Sequence, residues 1–424
     1  MIYVNLGATE YISHSTTDFK LDIIHVNLPA CAFSGSSGTQ ASIANFRRGG
    51  WPMLLDVSPL RRHRDFRLVF LGQTVSAFGS FLTYVALPVQ IYALTKSSTV
   101  VGLLGAVELV PLAITALWGG ALADAWDRRR LVLCCEALLL VGSLMLAANS
   151  MLAESSVRLL FVVAASMSAV NGFHTPSLQS LTPNLVTPGD LPAVSALSWV
   201  RSMPPAQTAR PAGLSSILEG FRYASRRPEL IGTSVVDIVA LTFAMPMAVF
   251  PALAAQWGGA HAIAYLYSAM SMGGLIVTLF SGWTANLQRR GAAVVLAAAL
   301  WGAAITALGY ANALTTAIAC LMVAGAADTV SGLFRMTIWN ETIPAELRGR
   351  MAAIEQLSYM TGPLLGNARA GFMAERYGVA RSIAAGGIVC VVGVIACVPM
   401  LPGLWRYRKP AERDVGAALQ LSRR

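Results

Sequence analysis

Ionisable side chains inside long apolar stretches are the residues in this sequence from which chemistry is to be expected. Glu108, Asp237, Asp328 and Arg335 each sit within such a stretch, where a charge is costly and is retained for pairing, proton movement or ligand contact. A carboxylate in that setting is suited to taking a proton from one side and releasing it to the other, and Asp328 and Asp237 are the first choices for that role. Arg335 follows Asp328 by seven residues, on nearly the same helix face but about 10 Å further along the axis. A direct pair between those two is therefore disfavoured, and pairing with a neighbouring helix is the structural alternative to a proton role. Asn171 and His174 lie beside Gly172 and Pro176, where a polar lining or a helix distortion is expected. For His174 an interhelical hydrogen bond is the plainer reading. No HExxH, GxSxG, paired His/Cys or Walker A spacing occurs. Neither an enzyme, a metal centre, a cofactor nor ATP-driven transport is expected.

A second constellation is Gly119, Gly120, Asp124, Asp127, Arg128, Arg129 and Arg130. Paired small residues let helix backbones approach closely, and a carboxylate such as Asp124 is favoured at a facing helix N-terminus. The arginines would meet lipid phosphates or loop carboxylates. The set suits conformational gating, with a plain cytoplasmic turn as the alternative.

These residues must be positioned by membrane helices. Only 12% of the 424 residues are charged and 55% are apolar, whereas a soluble domain carries about 25% charged residues. Apolar runs at about 68–94, 100–122, 131–152, 158–178, 230–255, 262–286, 292–310, 315–339, 352–374 and 382–401 are each long enough to cross about 30 Å of hydrocarbon as a helix, the form that satisfies its own backbone. The fold class is all-α, a polytopic bundle of about ten spans, four before a long polar connector and six after it. The net charge of +10 comes from short arginine clusters between apolar runs, which set topology rather than bind nucleic acid. They place both termini on the cytoplasmic side of an inner or plasma membrane.

The organisation that follows is a cytoplasmic tail at 1–64, a four-span bundle at 65–178, and a connector at 179–228. A six-span bundle at 229–405 and a second tail at 406–424 complete it. In the connector, Ser216 and Glu219 read as a capping box opening a short amphipathic helix. Met53 begins a typical basic lead-in and is an alternative start to Met1. The halves repeat weakly: Gly120 to Arg130 corresponds to Gly282 to Gly291, and Pro188-Gly189-Asp190-Leu191 to Pro344-Ala345-Glu346-Leu347. In the later half that turn leads into two further spans. In the first half the apolar segment 193–200 stops at Arg201 and Pro204, so a hairpin of two spans is missing.

The Gly120-x-Leu122-x-Asp124-x-x-Asp127-Arg128-Arg129-Arg130 loop resembles the motif between helices two and three of the major facilitator superfamily. The stretches DFRLVFLGQTVSAFG, YVALPVQIYALT, GGALADAWDRRR, ILEGFRYASRRPEL, AGAADTVSGLFRMTIWNETIP and ELRGRMAAIEQL resemble its enterobactin-exporter-like and multidrug-efflux branch. The resemblance implies proton-linked export of a small molecule, a drug or siderophore-like compound, by alternating access between two six-helix bundles. Its partners would be protons, substrate and membrane lipids. The fifth and sixth helices of that pattern have no counterpart near Met203. A non-transporting remnant or a membrane interaction partner is the competing reading.

Overall fold

The computed structural model describes residues 61–125, 128–181, 222–280, 284, 287–343 and 348–408, all within one compact unit. The described residues are helical, without strands. The first half contains α1 (Arg64–Thr95), α2 (Ser98–Ala125), α3 (Arg128–Met151) and α4 (Val157–Leu181). The second half contains α5 (Pro228–Ala244), a 3-10 turn (Met247–Val249), α6 (Phe250–Ala254), α7 (Ala260–Leu279), α8 (Arg290–Gly309), α9 (Leu314–Thr342), α10 (Arg348–Tyr377), α11 (Val379–Met400) and α12 (Pro402–Trp405). Nine of these helical units are long and apolar enough to cross a membrane. α10 has the length, but Glu355, Asn367, Arg369, Glu375 and Arg376 make it more polar. The connector, its capping box and the position of the missing hairpin lie outside the described residues.

One apolar run expected as a single span is broken. After Ala244 the chain turns at Met245 and Pro246, passes through the 3-10 turn and resumes as α6. Proline supplies no N–H and crowds the preceding turn, so Pro246 and Pro251 prevent a continuous helix although the run stays apolar throughout. The freed backbone finds a partner from another helix: the Ala248 N–H donates to Asn367 Oδ1 of α10 at 3.0 Å. Non-helical backbone at membrane depth is tolerated where protein covers it, and Ala248 is 3% exposed.

The second half holds the main core. α8 packs on α9 and α11, α7 on α9, and α5 on α10 and α11. Trp301, Phe250 and Phe334 are the largest side chains filled in by these contacts. Trp339 turns into this bundle, where its indole N–H donates to Thr233 Oγ1 at 2.8 Å. The first half is slimmer: α4 packs on α2 and α3, while α1 touches its neighbours lightly. Leu68, Leu71, Val75 and Phe78 on α1 remain exposed.

The halves meet chiefly where α2 crosses α10. A Cβ built on Gly102 would stand 2.6 Å from the Asn367 carbonyl oxygen, and one on Gly105 would stand 2.6 Å from that of Leu364. Gly371 faces back onto Ser98 and Gly102. Backbone against backbone at this distance requires glycine on both sides, the small-residue route to helix association in lipid.

Candidate functional site

Asp237 of α5 and Arg335 of α9 form a buried ion pair through Oδ2 and Nη1, the carboxylate side chain being 4% exposed. Two turns away on α9, Asp328 lies within electrostatic reach of both but has no hydrogen bond or ion pair of its own among the described residues. The separation of Asp328 and Arg335 along one helix explains why Arg335 pairs outward to α5. Breaking such a pair strands a charge in a dry interior, at a cost of about 3–5 kcal/mol.

Tyr359 of α10 lies in the field of Asp328, Arg335 and Asp237. It also lies within reach of Tyr84 of α1, which in turn faces Glu108 of α2. The Tyr84 ring meets Tyr267 of α7 edge-on at 6.3 Å between centroids, and its hydroxyl reaches the Met247 sulfur. Both halves thus contribute to one polar and aromatic cluster midway along these helices. Tyr84 and Tyr359 keep 41% and 46% of their surface accessible. The Glu108 carboxylate also lacks a hydrogen-bonding or ionic partner among the described residues.

The α2–α10 crossing lies towards the α1–α2 and α10–α11 connections. Glu375, two residues from the end of α10, accepts from the Ser97 hydroxyl at 2.6 Å and from the Thr99 N–H at 3.1 Å through the same Oε2. A carboxylate at a helix N-terminus satisfies otherwise orphaned donors and meets the positive end of the helix dipole. Here the cap of a first-half helix is supplied by the second half. The Ser97 hydroxyl and then the Thr99 N–H hold the Glu375 carboxyl below its ordinary value.

His174 and Asn171 are not part of the central cluster. The His174 ring lies 2.8 Å from Glu136 Oε1, and Glu136 also accepts from Gln73 Nε2 at 2.7 Å and Ser76 Oγ at 3.0 Å. This ties α1, α3 and α4 together. Asn171 is exposed. Of the loop constellation, Asp127 and the surroundings of Gly119, Gly120, Asp124, Arg128 and Arg129 lie outside what the structure describes; Arg130 is exposed at the start of α3. At the opposite end from Glu375, Glu341 pairs with Arg290 and accepts from the Tyr407 hydroxyl at 3.2 Å; burial pushes the Tyr407 phenol up from its ordinary value. Sequence reasoning missed Glu136, Glu375 and the three tyrosines. Glu136 sits in an apolar run just as Glu108 does, and the same criterion finds it.

Two family models match consecutive parts of the chain: Transmembrane secretion effector over residues 56–212 and Major Facilitator Superfamily over residues 235–422. The chain belongs to the major facilitator superfamily. This facilitator chain is similar to Enterobactin exporter EntS of Citrobacter koseri, at 25% identity over 416 residues covering 88% of the chain and 100% of that relative. It is 26% identical to the Shigella boydii serotype 4 protein of the same name over 84% of the chain and 96% of the relative. The first alignment takes about 373 of the 424 residues, leaving about 43 positions of the relative unmatched, the length of about two spans. Among solved structures, the fold resembles the nucleoside transporter NupG, with a TM-score of 0.52 at 13% identity over 77% of the chain and 94% of NupG. A bacterial homolog of the human lysosomal transporter Spinster gives 0.50 at 14% identity over 84% of the chain and 97% of that structure. The chain is therefore a multi-pass membrane transporter, not an enzyme.

Proposed function

We propose that this transporter exports a small molecule across an inner or plasma membrane by alternating access, coupled to protons. The observation that carries the reading is that two carboxylates within membrane helices, Glu108 from one half and Asp328 from the other, stand without ionic partners among the described residues. Intramembrane carboxylates without partners are costly and mark ion or substrate paths. The arginine distribution supports placing the α2–α10 crossing at the outer end, with both termini inside. The crossing then acts as the outer gate, Glu375 being its latch. Asp237 and Arg335 hold α5 to α9, and Asp328 beside them is the candidate proton site. The gating role of Gly119, Gly120, Asp124, Asp127 and Arg128 to Arg130 rests on the loop motif. Similarity to enterobactin exporters supports export rather than uptake.

The test is accumulation of fluorescent efflux substrates in an efflux-deficient bacterium, with and without a protonophore, for the parent chain, Asp328→Asn, Glu108→Gln and Asp124→Asn. Protonophore-sensitive export lost in the variants is the expected result. A membrane-inserted protein that exports nothing from a panel of cationic, anionic and neutral compounds refutes the transport reading and leaves the remnant.

A further inference from the structure

Where α10 turns into α11 the charges of the described residues do not balance. Arg369, Arg376 and Arg381 lie there with one acid, Glu375, and that carboxylate is committed to the Ser97 hydroxyl and the Thr99 N–H of the first half. None of the three arginines forms an ion pair among the described residues. Arg369 has the fewest partners for its setting. Its Nη1 reaches the Met373 sulfur at 3.3 Å and the Ser382 carbonyl at 3.5 Å, and its Nε is buried without a partner. Nη2 lies over Gly386 of α11, where an added Cβ would stand 2.5 Å from it. The guanidinium thus crosses from α10 to α11 through a gap that glycine leaves, beside Ser382, one turn into α11. A guanidinium carries five N–H donors, these neutral acceptors are too few to satisfy them, and a charge left so within a membrane helix is costly.

The groove between the two helices faces outward. Leu365 and Phe372, one turn before and one turn after Arg369 on α10, are 38% and 61% exposed, and Arg376 comes two turns after Arg369 on nearly the same face. On α11, Arg381 shares a face with Ile388 and Val392, which are also exposed. An apolar strip on each helix therefore ends in arginine at the same end of the bundle, with the exposed Tyr377 beside it, the arrangement of side chains at a membrane interface. We propose that the α10–α11 groove binds the phosphate of an anionic phospholipid, Arg369 donating from Nη2, Arg376 and Arg381 closing over the headgroup, and the acyl chains lying along Phe372 and Ile388. Basic pockets between membrane helices take such headgroups, and guanidinium donors form charge-assisted bonds to phosphate oxygens. A soluble phosphate compound offers the same anion but nothing to cover the two apolar strips. The orientation in the transport reading puts the site in the outer leaflet; the site itself does not depend on transport.

Native mass spectrometry of the full chain in detergent, titrated with dioleoylphosphatidylglycerol and with dioleoylphosphatidylcholine, tests the site. The tightest phosphatidylglycerol adduct should weaken about tenfold or more in Arg376→Gln/Arg381→Gln, a change confined to exposed side chains, and likewise in Arg369→Gln. Phosphatidylcholine, with the same chains and no net charge, should bind equally to all. Arg406→Gln/Arg408→Gln, which removes two exposed arginines from the opposite end of the bundle, should keep the adduct. Equal weakening in the two double variants would assign the adduct to overall charge and overturn the proposal, as would an adduct unchanged in both variants of the groove. Displacement of the lipid by glycerol 3-phosphate would show a site for a soluble phosphate compound and overturn the lipid assignment.

Discussion

The glycine seam between α2 and α10 permits a worked prediction. Replacing Gly102 by alanine puts a Cβ 2.6 Å from the Asn367 carbonyl oxygen, and ordinary contact begins near 3.4 Å, so α10 must withdraw by about 0.8 Å if neither helix bends. Gly105→Ala demands the same withdrawal from the Leu364 carbonyl. Asn367 and Leu364 are three residues apart, so one displacement serves both changes and their costs do not add. Overpacking of this kind costs about 1–3 kcal/mol, and at about 2 kcal/mol a two-state equilibrium shifts about thirtyfold away from the closed crossing. The assay is oxidative cross-linking of Ser97→Cys with Glu375→Cys, whose native side chains touch across the crossing at 2.6 Å. The reporter removes the latch equally in both arms. The Gly102→Ala/Gly105→Ala protein should cross-link at least tenfold more slowly than the glycine parent. An unchanged rate with an unchanged melting temperature refutes the seam as the contact that sets closure.

Two other parts of the structure make separate predictions. Arg335→Gln or Asp237→Leu alone should lower stability in detergent by about 3–5 kcal/mol, because each strands one member of a buried pair, while Arg335→Met/Asp237→Leu together should cost much less. Thermal unfolding followed by tryptophan fluorescence reads this, and additive losses would show that the two charges are not coupled. Glu375 has its carboxyl held below the ordinary value in the closed crossing. Its contribution is therefore fully present above the usual glutamate range and is lost as pH falls through the lowered value. Accessibility of a cysteine placed at Ser98, which is buried at the crossing, should rise on acidification in the parent but not in Glu375→Gln, and identical profiles in the two proteins would exclude the latch.

Helix positions were legible because length and apolarity alone specify a membrane span. The break at Pro246 was not, since the residues on both sides stay apolar and only the prolines interrupt the backbone. Ionisable residues were found by the cost of burying them, but their partners were not. Arg335 and Asp237 lie far apart in the chain, and nothing in either segment names the other. Glu375 looks like an ordinary charge at a helix end, and its meaning lies in donors supplied by another helix. Tyrosine is compatible with a lipid face, a core or a cavity wall, so Tyr84 and Tyr359 became informative only once their neighbours on other helices were known.

If the first half lacks the hairpin that its sequence leaves out, completion of a transport cycle rests on the remaining helices. The crossing, the latch and the central acids come from α1, α2, α5, α9 and α10, with Tyr267 from α7. Lipid tails are as apolar as the side chains of α1, so an unpacked α1 face loses packing contacts but pays no hydrophobic penalty. Its exposed residues Leu68, Leu71, Val75 and Phe78 are thus tolerated in a bilayer. Inserting a hairpin of two apolar helices after residue 200 should raise the melting temperature and leave the protonophore-sensitive export rate within about a factor of ten, a barrier change of about 1.4 kcal/mol. Export that appears only after the insertion would mean that the rocking face of the first half is indispensable, and that the native chain keeps the fold of a transporter without its cycle.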